Sequence, residues 1–365
     1  MTATPIGQPL LTPLRIGDLT LPNCVVMAPM TRARATNAEL APTPAHARYY
    51  AQRAGAGLIV TEGTWVSAEA IGAGNVPGLY TQTQTAAWAT VTEAVHQAGG
   101  RIFAQLGHTG AKAHPDYLGG ALPVAPSAVN LGEQRATPAG LKDTVTPRAL
   151  TADEITRTLA DYRAAAVNAR RAGFDGVEIH AQGSHLIPQF LNPRLNRRTD
   201  AYGGSTAARA RFLLELLHAV SAIWEGPRVG VKLSPYWSGG TFTAGEDTLA
   251  RYDWLIGELN SAGLGYLHLM GPTPAADHLS AFGRYRAIYR GTLVANVGFT
   301  RDSANTVIER GVADAVSFGL PFIANPDLVD RFAHGYPLAD HDPATVYTGG
   351  AIGYTDYPRA TARSG

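Results

Sequence analysis

Short apolar runs alternate along the chain with longer segments in which apolar residues recur every three or four positions. The runs are NCVVMAPM from Asn23, GLIVTEG from Gly57, RIFAQLGH from Arg101, FDGVEIH from Phe174, RVGVKLSP from Arg228, GYLHLMG from Gly265, TLVANVGF from Thr292 and DAVSFGL from Asp314. Several are apolar almost without interruption, as parallel strands covered on both faces must be. Between them, TPAHARYYAQRAG closes at Gly55 and TAAWATVTEAVHQAGG at Gly99 and Gly100, glycines placed to end helices. Thr151 and Glu154 have capping-box spacing at the head of a helix running toward Gly173. Further helices are predicted from about Ser205 to Trp224 and from about Glu246 to Ala262, and Thr300 is placed to cap TRDSANTVIERG.

About eight strands alternating with about eight helices predict an α/β TIM (β/α)8 barrel. A doubly wound sheet, the alternative, normally has fewer units. The Gly-, Pro- and Ala-rich segment from His108 to Arg148 fits neither period. It reads as a long excursion after the third strand, with room for a hairpin. No composition change marks a second domain, so residues 1–365 are read as one domain.

Composition narrows the function classes. With 16% charged residues and a formal net charge of +1, the chain offers no electrostatic case for binding nucleic acid or an anionic membrane. No segment is apolar for long enough to span a bilayer. The single cysteine, Cys24, rules out an internal disulfide framework and fits a reducing compartment. The first residues, MTATPIGQPLLTPLRIG, lack the basic-then-apolar profile of a signal peptide. The expectation is a cytoplasmic enzyme acting on a small molecule, a monomer or homodimer, with no metal.

In a TIM barrel the chemistry sits where the strands end. The residues closing the apolar runs are Pro29, Met30 and Thr31; Glu62 and Gly63; Gln105 and His108; His180; Lys232; Met270 and Gly271; Gly298; and Gly319. Thr31, Gln105, His180 and Lys232 would converge on one mouth. A lone strand-end histidine is as readily a structural hydrogen-bonder as a catalyst, but four polar groups around one mouth point to a site.

The same residues carry a resemblance. MAPMTR (27–32), PTPAHARYYAQRAGAGLIVTEG (42–63), AQLGHTG (104–110), TPRAL (146–150), QFLNP (189–193), NRRTDAYGGS (196–205), ANPDL (324–328) and GYTDYP (353–358) resemble the Old Yellow Enzyme family in order and spacing across nearly the whole chain. The resemblance implies an FMN-containing TIM barrel that uses NADPH or NADH to reduce activated carbon–carbon double bonds. It places Pro29, Met30, Thr31 and Gly63 at the flavin, with Thr31 near its O4. It places Gln105 at the pyrimidine edge and Lys232 where the family has an arginine, keeping the charge that N1 and O2 need but losing the planar fork. Val297, Gly298, Gly319 and Leu320 align with the phosphate-binding turns. There the family usually has glycine at the position of Val297 and arginine at that of Leu320, with Arg301 the nearest substitute in this sequence.

His180 matches the first of two family donors that bind the substrate's carbonyl or nitro oxygen. Gly183 falls on the second and has no side chain, and His185 falls on a tyrosine that gives a proton to the α-carbon. Three readings of His185 stand side by side: an imidazolium replacing that proton donor, a replacement for the missing second donor with water delivering the proton, or a ring bonded to a loop carbonyl. Gly107 replaces a common tryptophan and Ala73 falls near a common tyrosine, so the pocket should be wider, or filled by the 108–148 excursion. Tyr354 matches a C-terminal tyrosine that reaches the family pocket. The expected activity is NAD(P)H-driven, FMN-dependent reduction of a bulky unsaturated carbonyl compound. The alternatives are a diverged flavoprotein performing desaturation, isomerisation or a specialised biosynthetic step, or a barrel that has lost flavin.

Overall fold

Each of the eight apolar runs forms a strand, and the eight close into one parallel barrel. The computed structural model describes residues 7–224, 227–272, 277–347 and 350–360. The barrel strands are β1 (Val25–Met27), β2 (Leu58–Trp65), β3 (Ile102–Gly107), β4 (Gly176–Ala181), β5 (Val229–Leu233), β6 (Tyr266–Met270), β7 (Leu293–Asn296) and β8 (Ala315–Phe318). They pair in chain order, and β8 returns to β1. Nearly every strand residue is buried, because helices cover the outside and side chains fill the inside.

Ten α-helices surround the barrel among the described residues: α1 (Pro44–Ala51), α2 (Gln82–Gln97), α3 (Ala152–Arg171), α4 (Leu186–Leu191), α5 (Thr206–Ser221), α6 (Glu246–Glu258), α7 (His278–Arg286), α8 (Arg301–Glu309), α9 (Leu320–Ala324) and α10 (Leu328–His334). The start of α3 shows why local sequence suffices for many of them. The Thr151 hydroxyl accepts from the Glu154 N–H at 3.2 Å, and the Glu154 carboxylate accepts from the Thr151 N–H at 2.8 Å. Two N–H groups that no intrahelical carbonyl can reach are thereby satisfied. Thr300 caps α8 in the same reciprocal way with Ser303.

The excursion after β3 contains the hairpin: Gln134–Thr137 pairs antiparallel with Gly140–Asp143. A short parallel pair, Val124–Ala125 with Arg148–Ala149, brackets the hairpin. Among the described residues no helix is long and apolar enough to cross a membrane.

Candidate active site

Parallel register decides which side chains meet at the C-terminal mouth. His180 of β4 lies opposite Lys232 of β5, and Lys232 opposite His268 of β6. Glu178, two residues before His180 and so on the same face, lies opposite Gln105 of β3, which lies opposite Gly63 of β2. A buried polar ladder follows. The Gln105 amide Nε2 donates to Glu178 Oε1 at 2.8 Å, and His268 Nδ1 lies 2.8 Å from Glu178 Oε2, with its Nε2 2.7 Å from Ser317 Oγ. Burial, then the Lys232 charge, push the His268 imidazole down to about 4. The ring is therefore neutral: Nδ1–H donates to Glu178 and Nε2 accepts from the Ser317 hydroxyl. Burial works to raise the Glu178 carboxyl, but His268, Lys232 and Gln105 together hold it below its ordinary value.

Lys232 is buried, and no hydrogen bond or short ion pair joins its ammonium to another described residue. Burial pulls it down to about 8, with Glu178 opposing. A buried cation in this state is costly unless an anionic or acceptor group meets it. Gln105 presents the complementary group: with Nε2 committed to Glu178, Oε1 is left beside Gly63, 3.4 Å from where a Cβ on that glycine would sit. Pro29, Met30, Thr31, Gly63 and Gly319 are all half-buried around this opening. Met30 Sδ, just past β1, comes within 3.5 Å of a Cβ position on Gly319, just past the neighbouring β8. A free cation, a free amide acceptor and a lining of small residues fit the pyrimidine edge of a flavin. Lys232, Gln105 and Thr31 would hold that edge.

The phosphate end departs from its ordinary form. Val297 and Gly298 follow β7 with φ of +85° and +76°. Glycine takes such angles freely, whereas a β-branched residue is strained there. This is the physical content of the missing glycine at 297. The loop is held by a hydrogen bond between the His278 ring and the Val297 backbone, and by stacking of His278 on Phe299 at 4.0 Å between ring centroids. Leu320 opens α9 and is 60% exposed, so its backbone N–H is available but its side chain offers nothing to an anion. Arg301 is tied to the neighbouring Asp302 at 2.9 Å.

The two histidines of the β4 loop come together. The rings of His180 and His185 lie 4.1 Å apart, inclined by 52°. Burial, then Lys232, push His180 down to about 3. Burial, then His180, Lys112 and Arg135, push His185 far below its ordinary value. Of the three readings of His185, a standing imidazolium is therefore not the resting form: desolvation of the ring and its three neighbours His180, Lys112 and Arg135 keep it neutral. Its Nδ1 is buried without a hydrogen-bond partner among the described residues, 3.8 Å from where a Cβ on Gly183 would sit. Gly183, at φ +63°, donates its N–H to Ser234 Oγ at 2.8 Å.

Two other expectations change. Gly107 does not simply widen the pocket, because His180 leans over it. A Cβ there would lie 3.1 Å from His180 Nδ1, so a side chain at 107 would require His180 to shift by a few tenths of an ångström. Tyr354 does not line the mouth. It is 0% exposed, stacked on Tyr49 at 4.1 Å and flanked by the guanidinium groups of Arg32 and Arg34. The ring packs the C-terminal segment against Tyr49 of α1.

The excursion does fill space. Arg135 of the hairpin donates from Nε to the Gly72 carbonyl at 2.8 Å, beside Ala73. Glu133 accepts from Ser184 Oγ at 3.2 Å and lies 3.7 Å from Lys112 Nζ. These residues, with Glu178, His268 and Ser317, were missed in the sequence. Glu178 and His268 had a signal, polar residues at alternate positions of buried strands, but the excursion residues had none. Among the described residues no cluster of His, Cys, Asp and Glu is placed to hold a metal ion.

Residues 9–339 match the NADH:flavin oxidoreductase / NADH oxidase family. The chain is 41% identical over 361 residues to chanoclavine-I aldehyde reductase of Penicillium roqueforti, covering 95% of each chain. It is 40% identical over 375 residues to 12-oxophytodienoate reductase 7 of Oryza sativa subsp. japonica, covering 96% of this chain and 94% of the other. Among solved structures, morphinone reductase in complex with tetrahydroNAD superposes with a TM-score of 0.92 at 43% identity, over 98% of this chain and 99% of that one. The chain thus belongs to the NADH:flavin oxidoreductase / NADH oxidase family, as an FMN-dependent oxidoreductase of Old Yellow Enzyme type on a TIM barrel.

Proposed function

We propose that the protein reduces the activated C=C bond of a bulky α,β-unsaturated carbonyl compound, with His180 and His185 together binding the carbonyl oxygen. The observation that carries this reading is the pair of imidazoles 4.1 Å apart at the mouth, with His180 directly opposite the unpaired Lys232 in strand register. When bound, FMN supplies the hydride for the β-carbon, drawn from NAD(P)H. The chain's part is to polarise the alkene and hold charge. His180 donates to the oxygen, as its place at the end of β4 requires. His185 supplies the second donor that Gly183 lacks: the neutral ring has one N–H, carried by Nε2 toward the substrate, while Nδ1 stays unprotonated. Donors fixed in a water-poor site gain strength as negative charge develops on that oxygen. With no standing imidazolium, the α-carbon proton comes from water entering the half-exposed loop.

Thr31, Gln105 and Lys232 set the pyrimidine edge, with Pro29, Met30 and Gly63 around it. Val297, Gly298, Gly319 and Leu320 offer backbone donors to the phosphate in place of the usual arginine. The test is the visible spectrum of the purified protein. A flavin band that bleaches anaerobically with NAD(P)H and returns on adding an enone supports the reading. A colourless protein that FMN cannot reconstitute would sink it.

A further inference from the structure

A cavity of about 520 Å³ lies between α4, α5, α6 and the loop after β5, beside the mouth rather than over it. Its wall includes Gly183 and Ser234, the two residues joined by the hydrogen bond that holds the histidine loop. A Cβ on Gly183 would meet only His185 Nδ1, at 3.8 Å, so open space adjoins the histidines at this point. The wall is mixed: Leu191, Phe242 and Leu255 form an apolar stretch, and Arg194, Glu246 and Arg251 are among the polar residues that complete it. Two polar groups on it lack a partner. The Trp237 indole Nε1 and the Thr241 hydroxyl are buried and make no hydrogen bond with the described residues. Buried donors left unpaired are unfavourable, and an indole N–H can only donate. The complement is a ligand oxygen acting as acceptor.

We propose that this chamber is a subsite for the tail of the substrate: an elongated unsaturated carbonyl compound whose chain lies along Leu191, Phe242 and Leu255 and brings an ether, ester or carbonyl oxygen to Trp237 and Thr241. The proposal rests on the enone-binding role of His180 and His185. Gly183 is then the aperture between reacting group and tail. Loss of the side chain at 183 gives up one oxygen donor and opens the passage, while His185 restores the donor.

The experiment is equilibrium binding by calorimetry, with no NAD(P)H present. The probes are 2-cyclohexenone, the same ring bearing a hexyl chain, and the ring bearing an isosteric ether chain. Leu191→Trp fills the chamber and should weaken both tailed ligands by about tenfold or more, leaving 2-cyclohexenone within about twofold. Trp237→Phe keeps the ring and removes the donor. It should weaken the ether ligand by about fivefold and leave the hexyl ligand unchanged. An equal response of tailed and short ligands to Leu191→Trp overturns the proposal. So does the absence of any ether-specific loss in Trp237→Phe, which also carries the test if Leu191→Trp does not fold. Failure of the wild-type protein to turn over 2-cyclohexenone would strike the reductase reading instead, since these affinities are measured without reduction.

Discussion

Replacing Val297 by glycine should stabilise this protein, against the usual rule that glycine weakens a fold. Val297 holds φ at +85° directly after β7, and Gly298 continues at +76°. A left-handed conformation costs an L-residue roughly 1–2 kcal/mol, and a β-branched side chain sits at the upper end. Glycine adds about 0.5–1 kcal/mol of backbone entropy to be lost on folding. The difference leaves roughly 1 kcal/mol in favour of the glycine variant. In a chain of 365 residues this is a rise in Tm of only about 1 °C, so the comparison needs a control. Val297→Ala is that control, because alanine keeps the left-handed penalty and loses the packing of the half-buried valine. The expected order of stability by thermal and urea unfolding is glycine, valine, alanine. The same glycine variant should bind FMN at least as tightly as the parent, read by flavin fluorescence quenching, because the backbone donors stay where they are. If alanine equals or exceeds glycine, the strain is not present and the reasoning fails. A loss of stability in the glycine variant of about 1 kcal/mol or more would mean that the contacts of the valine side chain outweigh its backbone.

Gly183→Asn should be tolerated, since asparagine accepts left-handed backbone and only His185 Nδ1 lies within 4 Å of the new Cβ. It should restore a second oxygen donor and recover, by about tenfold or more, the enone turnover lost in His185→Ala; steady-state kinetics of the double variant reads this. Lys232 should leave a signature in pH. Its native value of about 8 lies below the ordinary 10.5, so between these the unfolded chain binds the proton and the native chain does not. Stability of the ligand-free fold therefore rises with pH through that window. The charge at the flavin's pyrimidine edge is lost over the same range. Flavin reduction by NAD(P)H should slow as pH rises through about 8 in the wild type and not in Lys232→Arg, followed by stopped-flow absorbance.

The barrel was legible because each strand is an apolar run buried on two faces and each helix carries its own punctuation, as at Thr151 and Thr300. Position along a strand also foretold which side chains meet at the mouth, since parallel register brings strand ends to one level. His180 and Lys232 meet for that reason. What failed depended on packing between segments distant in sequence. Tyr354 was expected at the pocket because it lies in the GYTDYP motif, but its ring is taken up by Tyr49, Arg32 and Arg34. The charge state of His185 could not be read from its own segment. It is set by burial and by Lys112 and Arg135, which an irregular excursion carries in from elsewhere. Gly107 was read as widening the pocket unless another segment filled it, and nothing in its local sequence says that a histidine on the next strand leans over it.

The central claim is that His185 serves the enone and not the coenzyme. The most direct measurement is anaerobic stopped-flow spectroscopy of His185→Ala, with the two half-reactions followed separately. Loss of one oxygen donor should slow reoxidation of the flavin by an enone about a hundredfold or more, with reduction by NAD(P)H changed by less than about threefold. Equal loss in both half-reactions, or no loss in either, would contradict the assignment.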